Sequence, residues 1–296
     1  MTRADWLRLI FLSLLWGGSF FFVEIALTAL PPLAVVWVRV ATGAVCLGLI
    51  LALSGVPFPK GRAVWLALAG MGFLNNAIPF TLFALAQGQI TGALAAILNA
   101  TTPLFTLVAV HLFTDDEGIT PRRALGLIAG LGGVAVMMWG QALDGTVLAK
   151  LACLGAAASY GVAGVWSRRF RSLGTTPLQI AFGQCASAAL LVLPVMLVVS
   201  PPFGLTVPPL RVWAALAGLG LLSTVLAYLL FFRILASAGA VRLALVTFLI
   251  PVSATVLGMA FLSQVPEPRH LAGFALIAAG LVAVGGGRPA KASGTA

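Results

Sequence analysis

Apolar residues occur along this chain in long continuous runs, which are interrupted by charged residues and by clusters of proline and glycine. These breaks delimit ten runs, each close to the roughly 20 residues that a helix needs to cross a membrane. The runs lack the alternation typical of a membrane β-barrel. The pattern therefore predicts an all-α integral membrane protein with ten transmembrane helices, at residues 5–28, 33–54, 63–86, 90–113, 122–140, 147–168, 177–199, 211–234, 241–263 and 269–286.

The composition indicates that lipid is the solvent of most side chains. Hydrophobic residues make up 61% of the 296 positions and charged residues 8%, and the mean hydropathy is +1.11. A soluble domain carries about 25% charged residues. These values exclude an ordinary cytosolic enzyme, a disordered chain and a secreted disulfide scaffold.

The positive charges indicate the orientation of the chain. If the N-terminus is cytoplasmic, thirteen of the seventeen lysines and arginines precede, follow or connect helices on the cytoplasmic side, three lie outside, and Arg39 lies within a helix. Such an excess is typical of cytoplasmic loops. We therefore expect a multi-pass protein of the plasma or inner membrane with both termini in the cytoplasm. Because the basic residues serve as topology signals, the net charge of +10 does not indicate a nucleic-acid partner.

The two halves of the chain resemble each other. Similar segments surround Trp16 and Tyr160, and again Pro103 and Pro251, and GLIAGLGGVAV in the first half matches GFALIAAGLVAV in the second. Each half contains five predicted helices, and an odd number reverses the second half in the bilayer. The sequence thus predicts a 5+5 inverted-topology repeat, a design of transporters with a site between the halves. The first repeat spans residues 1–143, the second 144–287, and 288–296 form a cytoplasmic tail.

The order of these motifs resembles a known family. The segment WGGSF that begins at Trp16, followed by Pro32 and Arg39, is similar to the opening of the EamA family of the drug/metabolite transporter superfamily. The helices with Pro103 and Pro251, and the glycine-rich helices after them, resemble the close of each EamA repeat. The resemblance covers residues 6–286. It implies ten helices in a 5+5 inverted fold and the export of small organic metabolites, and it favours a YddG-type amino-acid exporter.

Two positions depart from the family pattern. Ser19 stands where the opening motif commonly has asparagine, and Gln264 stands where the second repeat often has glutamate.

Polar and aromatic residues collect near the middle of several predicted helices. A polar side chain in hydrocarbon is costly unless it meets a partner or water, so the pattern predicts a cavity shared by the first, third, fourth, sixth, eighth and ninth helices. The candidate substrate-binding residues are Trp16, Ser19, Asn76, Phe80, Asn99, Thr101, Tyr160, Ser223, Tyr228 and Thr247.

Each candidate also has a structural interpretation. Serine and threonine hydroxyls in membrane helices often bond back to their own helix or to a neighbour, and aromatic rings often serve only packing. Pro103 and Pro251 free the carbonyls of Asn99 and Thr247, which can bind substrate, while the prolines themselves are candidate hinges or kinks.

Two ionisable residues lie inside predicted helices at similar depth, Glu24 in the first and Arg39 in the second. They are expected to form a salt bridge. The alternative is an outer gate in which one of them reads a substrate carboxylate or carries a proton.

The combined features predict a secondary transporter that exports small amphipathic metabolites, with amino acids (aromatic or other neutral) as first choice, by alternating access. A broad-specificity drug or amine exporter is the alternative, ahead of an intramembrane enzyme or a channel. The sequence has no HExxH, GxSxG or paired-carboxylate motif, so we expect no catalysis, cofactor or metal. The expected partners are a small-molecule substrate and the lipid bilayer, and the expected state is a monomer or weak homodimer.

Overall fold

The computed structural model describes residues 3–114, 121–139, 145–201, 206–238, 243 and 246–285, and all regular secondary structure within these ranges is helical. We label the main helices α1 (Arg3–Ala26), α2 (Pro32–Leu53), α3 (Arg62–Ala86), α4 (Gly92–Phe113), α5 (Pro121–Met138), α6 (Gly145–Trp166), α7 (Pro177–Val199), α8 (Leu210–Ser237), α9 (Val246–Leu262) and α10 (Pro268–Gly285).

Seven helices in the described part of the chain are long and apolar enough to cross a membrane, namely α1, α2, α3, α4, α6, α7 and α8. Shorter apolar stretches, Ala124–Val136 and Leu249–Leu262, lie in α5 and α9. The structure therefore confirms the all-helical prediction and the approximate helix positions. The predicted boundary between residues 143 and 144, the start of the ninth predicted span and the tail 288–296 lie outside the described residues.

The helices pack in pairs that match when the two halves are exchanged. Helix α5 packs against α10, and α2 packs against α7. Three further contacts each have a counterpart on exchange of the halves. The α1–α9 contact corresponds to the α6–α4 contact, the α3–α6 contact to the α8–α1 contact, and the α3–α7 contact to the α8–α2 contact. The similarity of the halves in sequence thus extends to helix packing.

Glycines make two equivalent crossings possible. A Cβ atom on Gly17 of α1 would lie 2.6 Å from the Cβ of Ser253 in α9. A Cβ atom on Gly161 of α6 would lie 2.7 Å from the carbonyl carbon of Phe105 in α4. At both crossings the two helices therefore lie too close together for a residue larger than glycine. Small residues commonly permit such close packing in membrane proteins.

Helices α3 and α8 each contain a π-helical segment at the corresponding position, Phe73–Ala77 and Gly218–Leu226. A π-helix bonds each residue to the fifth one along, and such segments occur frequently at functional sites. The Leu74 carbonyl accepts a hydrogen bond of 2.6 Å from the Ser159 hydroxyl of α6. The Thr224 hydroxyl donates to the Leu219 carbonyl within its own π segment, at 2.9 Å.

The two prolines at matching sequence positions have different effects. Helix α4 is divided into Gly92–Asn99 and Thr102–Phe113, with Pro103 at the start of the second part. Helix α9 continues as one α-helix through Pro251. Pro103 thus marks an actual interruption, whereas no break accompanies Pro251.

Candidate functional site

Six residues from the interior of four helices form what we call the central cluster. Three belong to the first half and three to the second, and they are Arg39, Asn76, Phe80, Tyr160, Thr224 and Tyr228. Two pairs in the cluster are related by the internal repeat, because Asn76 and Thr224, like Phe80 and Tyr228, are 148 positions apart. The π segments of α3 and α8 contain Asn76 and Thr224.

Arg39 holds a positive charge at the centre of this cluster. Its side chain is buried, with 9% of the residue exposed. Its Nε atom donates to the Thr224 hydroxyl at 3.1 Å, and its guanidinium carbon lies 3.6 Å from the centre of the Phe80 ring. Tyr160 and Tyr228 are both close enough to interact with it electrostatically. A neutral hydroxyl and an aromatic face thus fix its orientation.

Asn76 connects the two halves by a hydrogen bond. Its side-chain nitrogen donates to the Tyr228 hydroxyl at 3.2 Å. Its side-chain oxygen and the Ser223 hydroxyl are buried and make no hydrogen bond to the described residues. Buried polar atoms are normally paired, so both atoms keep unused hydrogen-bonding capacity.

A second polar contact joins the halves beside the cluster. The Asn75 side chain of α3 donates to the Gln184 side chain of α7 at 3.0 Å. This amide–amide bond is the kind of polar contact that holds membrane helices together.

Two aromatic contacts also join one half to the other. The Trp16 and Phe231 ring centres lie 5.6 Å apart, and those of Phe83 and Tyr160 lie 6.3 Å apart. Trp16 corresponds to Tyr160 in the repeat, and Phe83 corresponds to Phe231. The contact of Trp16 with α8 is thus the repeat-related equivalent of the contact of Tyr160 with α3.

Several predicted binding residues use their polar groups locally. The hydroxyls of Ser19 and Thr101 donate to the carbonyls of Trp16 and Leu98, at 2.7 and 2.6 Å, and both residues are buried. Each hydroxyl thus bonds to a carbonyl of its own helix, which is the structural alternative considered for serine and threonine in the sequence analysis. Neither hydroxyl contributes to the central cluster in this structure.

The carbonyls next to the prolines also fall outside the cluster. The Asn99 carbonyl, freed by Pro103, accepts a hydrogen bond from the Thr102 hydroxyl at 2.7 Å, and the Asn99 side chain contacts the same hydroxyl. Thr247 is half-buried in the first turn of α9. Because the Asn99 carbonyl is already paired within its own helix, it is not the unpaired acceptor that was expected to bind substrate.

Glu24 and Arg39 do not form the expected salt bridge. The Glu24 carboxylate accepts hydrogen bonds from the Gln264 side chain and from the backbone nitrogen of Gly92, the latter at 3.0 Å. Gly92 is the first residue of α4, where the unpaired N–H groups and the helix dipole favour an anion. This environment explains why the carboxylate turns to α4 and the loop after α9 while Arg39 turns to the cluster.

A cavity of about 220 Å³ lies beside Glu24 and Gln264. Its lining comes from α4 and the loop before it, from α6, and from α10 and the loop before it, and includes Thr91, Lys150, Gln264 and His270. None of the residues that line this cavity belongs to the central cluster. Within the described ranges, no three histidine, cysteine, aspartate or glutamate side chains lie together as a metal site would require.

Sequence reasoning missed two residues as site candidates. Thr224 is not among the predicted binding residues, and Gln264 was noted only as a departure from the family pattern. The repeat offset could have identified Thr224, because it is the counterpart of Asn76. No local signal in the sequence connects Gln264 to Glu24, 240 positions away.

Comparison with known proteins gives a consistent result. Protein PecM of Dickeya dadantii is 27% identical over 91% of this chain and 88% of that protein. The uncharacterized inner membrane transporter YedA of Escherichia coli (strain K12) is 30% identical over 53% of this chain and 51% of its own length. The uncharacterized transporter YoaV of Bacillus subtilis is 24% identical over 93% and 94%.

A crystal structure with 21% sequence identity superposes with a TM-score of 0.67 and covers 96% of both chains, which shows a shared fold. The sequence profile of the EamA-like transporter family matches residues 6–139 and, separately, residues 147–286. These two matches span nearly the whole chain and agree with the motifs from which the family resemblance was drawn. The chain therefore belongs to the EamA-like transporter family.

Proposed function

We propose that this protein is a secondary exporter of small amphipathic metabolites, with aromatic or other neutral amino acids as its substrates. The observation that carries this proposal is the central cluster. It combines a cation, amide and hydroxyl groups and aromatic rings at the contact between the halves. Binding sites of transporters with internal repeats lie at such a contact, and these groups match the polar head and apolar body of an amphipathic solute.

Rocking of the two halves about the cluster is the proposed mechanism. The packing pairs that match on exchange of the halves and the double match of the family profile support an internal repeat. Five spans in each half would make that repeat inverted. Alternate opening to the two sides of the membrane then follows from two similar arrangements of the same helices.

The proposed location is the inner or plasma membrane, with ten spans and both termini in the cytoplasm. The apolar helices, the charge distribution along the sequence and the description of YedA as an inner membrane transporter support it.

An exporter of permanently cationic drugs or amines is a weaker candidate. Arg39 would place a positive charge next to such a solute, and like charges at close range in a buried site repel each other. The aromatic rings of the cluster, which suit a cation, are the feature that keeps this candidate open.

Counterflow in liposomes tests the proposed function. Purified protein in vesicles loaded with unlabelled neutral amino acids should accumulate the labelled amino acid, with saturation at rising external concentration. Vesicles without protein are the control, and a labelled amine panel covers the competing candidate. If no amino acid in the panel is exchanged, the amino-acid assignment is wrong.

Cysteine labelling tests the orientation. In a chain whose three native cysteines are replaced by alanine, Lys60→Cys and Val207→Cys place single thiols at exposed positions, one between α2 and α3 and the other between α7 and α8. A membrane-impermeant maleimide added outside intact cells should label the cysteine at position 207 and should label that at position 60 only after lysis. The reverse pattern would contradict a cytoplasmic N-terminus.

A further inference from the structure

We infer that the central cluster binds the carboxylate of its substrate and that Arg39 is the residue that pairs with it. This inference rests on the proposed function and makes it more specific, because it requires a negatively charged group on the transported solute. Four observations lead to it: the position of Arg39, its lack of a protein counter-ion, its geometry and the unused groups around it.

The position of Arg39 makes its charge costly. The residue lies in the interior of α2, which has no other charged residue, and is buried against α3 and α8. Charged residues within membrane helices are rare, face the interior of the protein and mark substrate or ion pathways. A buried charge without a partner is unfavourable, so a counter-ion is needed.

The described residues provide no counter-ion for Arg39, since no carboxylate among them lies within ion-pair distance of it. Among the seven acidic residues of the sequence, Glu24 is the one in the interior of an apolar helix. That carboxylate is already bound by Gln264 and by the first turn of α4. The remaining source of negative charge at this depth is a bound solute.

The geometry of Arg39 suits a planar anion. Its Nε donates to Thr224 and one face of the guanidinium lies on the Phe80 ring. Arginine has five N–H donors in a rigid plane, and in the described part of the chain the four on its terminal nitrogens make no hydrogen bond. These donors can form the paired hydrogen bonds that arginine makes to carboxylates.

The groups around Arg39 suit the rest of such a solute. The unpaired acceptor of the cluster, Asn76 Oδ1, is suited to an ammonium group, which only donates hydrogen bonds. The rings of Tyr160 and Phe80 can pack against an apolar side chain. The single fixed charge of the cluster is positive. A solute that lacks a carboxylate should therefore fail to bind.

A matched ligand series on the unmodified protein tests this directly. Purified protein in detergent is heated alone and with phenylalanine, leucine, their methyl esters, the decarboxylated amines phenethylamine and isoamylamine, and the carboxylates 3-phenylpropionate and 4-methylpentanoate. The amino acids and carboxylates should raise the midpoint of unfolding at concentrations at least tenfold lower than the esters and amines. Equal or stronger stabilisation by the esters or amines would overturn the inference, and so would no shift with any carboxylate.

Variants of Arg39 then assign the effect to this residue. Arg39→Gln should abolish the carboxylate-dependent shift, and Arg39→Lys should retain part of it because the charge remains without the planar fork. Arg62→Gln, a change at an exposed arginine, should bind like the parent protein. Without ligand, Arg39→Gln should unfold no earlier than the parent, because the change removes a buried charge. Normal carboxylate binding by Arg39→Gln would overturn the assignment, and if this variant does not fold, the ligand series decides.

Counterflow separates the two proposals. If carboxylates stabilise the protein through Arg39 but are not exchanged across liposomes, carboxylate binding stands and the transport proposal fails. If amines are exchanged and amino acids and carboxylates are not, the protein is a transporter, but both the amino-acid assignment and carboxylate recognition fail.

Discussion

Alanine at Gly17 should lower the stability of this protein far more than alanine at the neighbouring Gly18. The new Cβ atom at position 17 would lie 2.6 Å from the Ser253 Cβ and 2.9 Å from the backbone nitrogen of Ala254. Helix α9 cannot move away locally, because the obstructing atoms belong to or adjoin its backbone. Overpacking of this kind typically costs about 1–3 kcal/mol, and we expect the upper end.

The matched control is Gly18→Ala, whose Cβ would meet its nearest atoms at an ordinary 3.7 Å. Alanine is also the better helix former, by up to about 1 kcal/mol, so this variant should be as stable as the parent or slightly more so. Thermal unfolding in detergent measures both. Equal unfolding temperatures for the two variants would mean that α1 and α9 are not in the close contact described.

Removal of the Glu24 carboxylate should give the second large effect. Glu24→Ala deprives the Gln264 side chain and the Gly92 backbone nitrogen of their acceptor. Hydrogen bonds to a charged group contribute about 1.5–3 kcal/mol each, so the free energy of unfolding should fall by about 3 kcal/mol or more. Chemical or thermal unfolding in detergent provides the measurement.

Glu267→Ala is the appropriate comparison for Glu24→Ala. Glu267 forms an ion pair of 2.6 Å with Arg269, but its side chain is 53% exposed. Exposed ion pairs contribute at most about 1 kcal/mol. A loss at Glu24 no greater than that at Glu267 would show that the carboxylate does not hold α4 and the loop after α9 together.

The positions of the helices could be predicted from the sequence because a single physical requirement determines them. A span must be apolar along its whole length, and its end is marked by charge, proline or glycine. The prediction of residues 33–54 and 177–199, for example, corresponds to helices Pro32–Leu53 and Pro177–Val199. Four residues of the central cluster, Asn76, Phe80, Tyr160 and Tyr228, are among the predicted candidates, because polar and aromatic side chains at that depth need an internal partner.

The partners themselves could not be predicted from the sequence. Depth along a helix suggested that Glu24 and Arg39 would meet, but depth gives no information about the direction in which a side chain points. The packing of α2 against α8 places Thr224 at the Arg39 Nε, while the start of α4 offers Glu24 a better site. Similarly, depth makes Thr101 a candidate, but its hydroxyl donates to the Leu98 carbonyl of its own helix.

The two prolines show the same limit of sequence reasoning. Pro103 and Pro251 remove the same backbone donor, yet only α4 is interrupted. Two threonines precede Pro103, and their hydroxyls bond to the carbonyls of Leu98 and Asn99 at the interruption. In α4, side-chain hydroxyls thus pair with the carbonyls at the interruption, a contact that the proline alone does not predict.

The π segments of α3 and α8 affect how relatives of this protein should be aligned. A π turn accommodates more residues than an α turn, and one residue of an α-helix corresponds to a rotation of about 100°. A relative with an ordinary α-helix at Phe73–Ala77 would therefore turn a different residue toward the position of Phe80, unless its sequence were one residue shorter there. Single-residue gaps within these two helices would then preserve the lining of the site, and an ungapped alignment would assign the wrong residues to it.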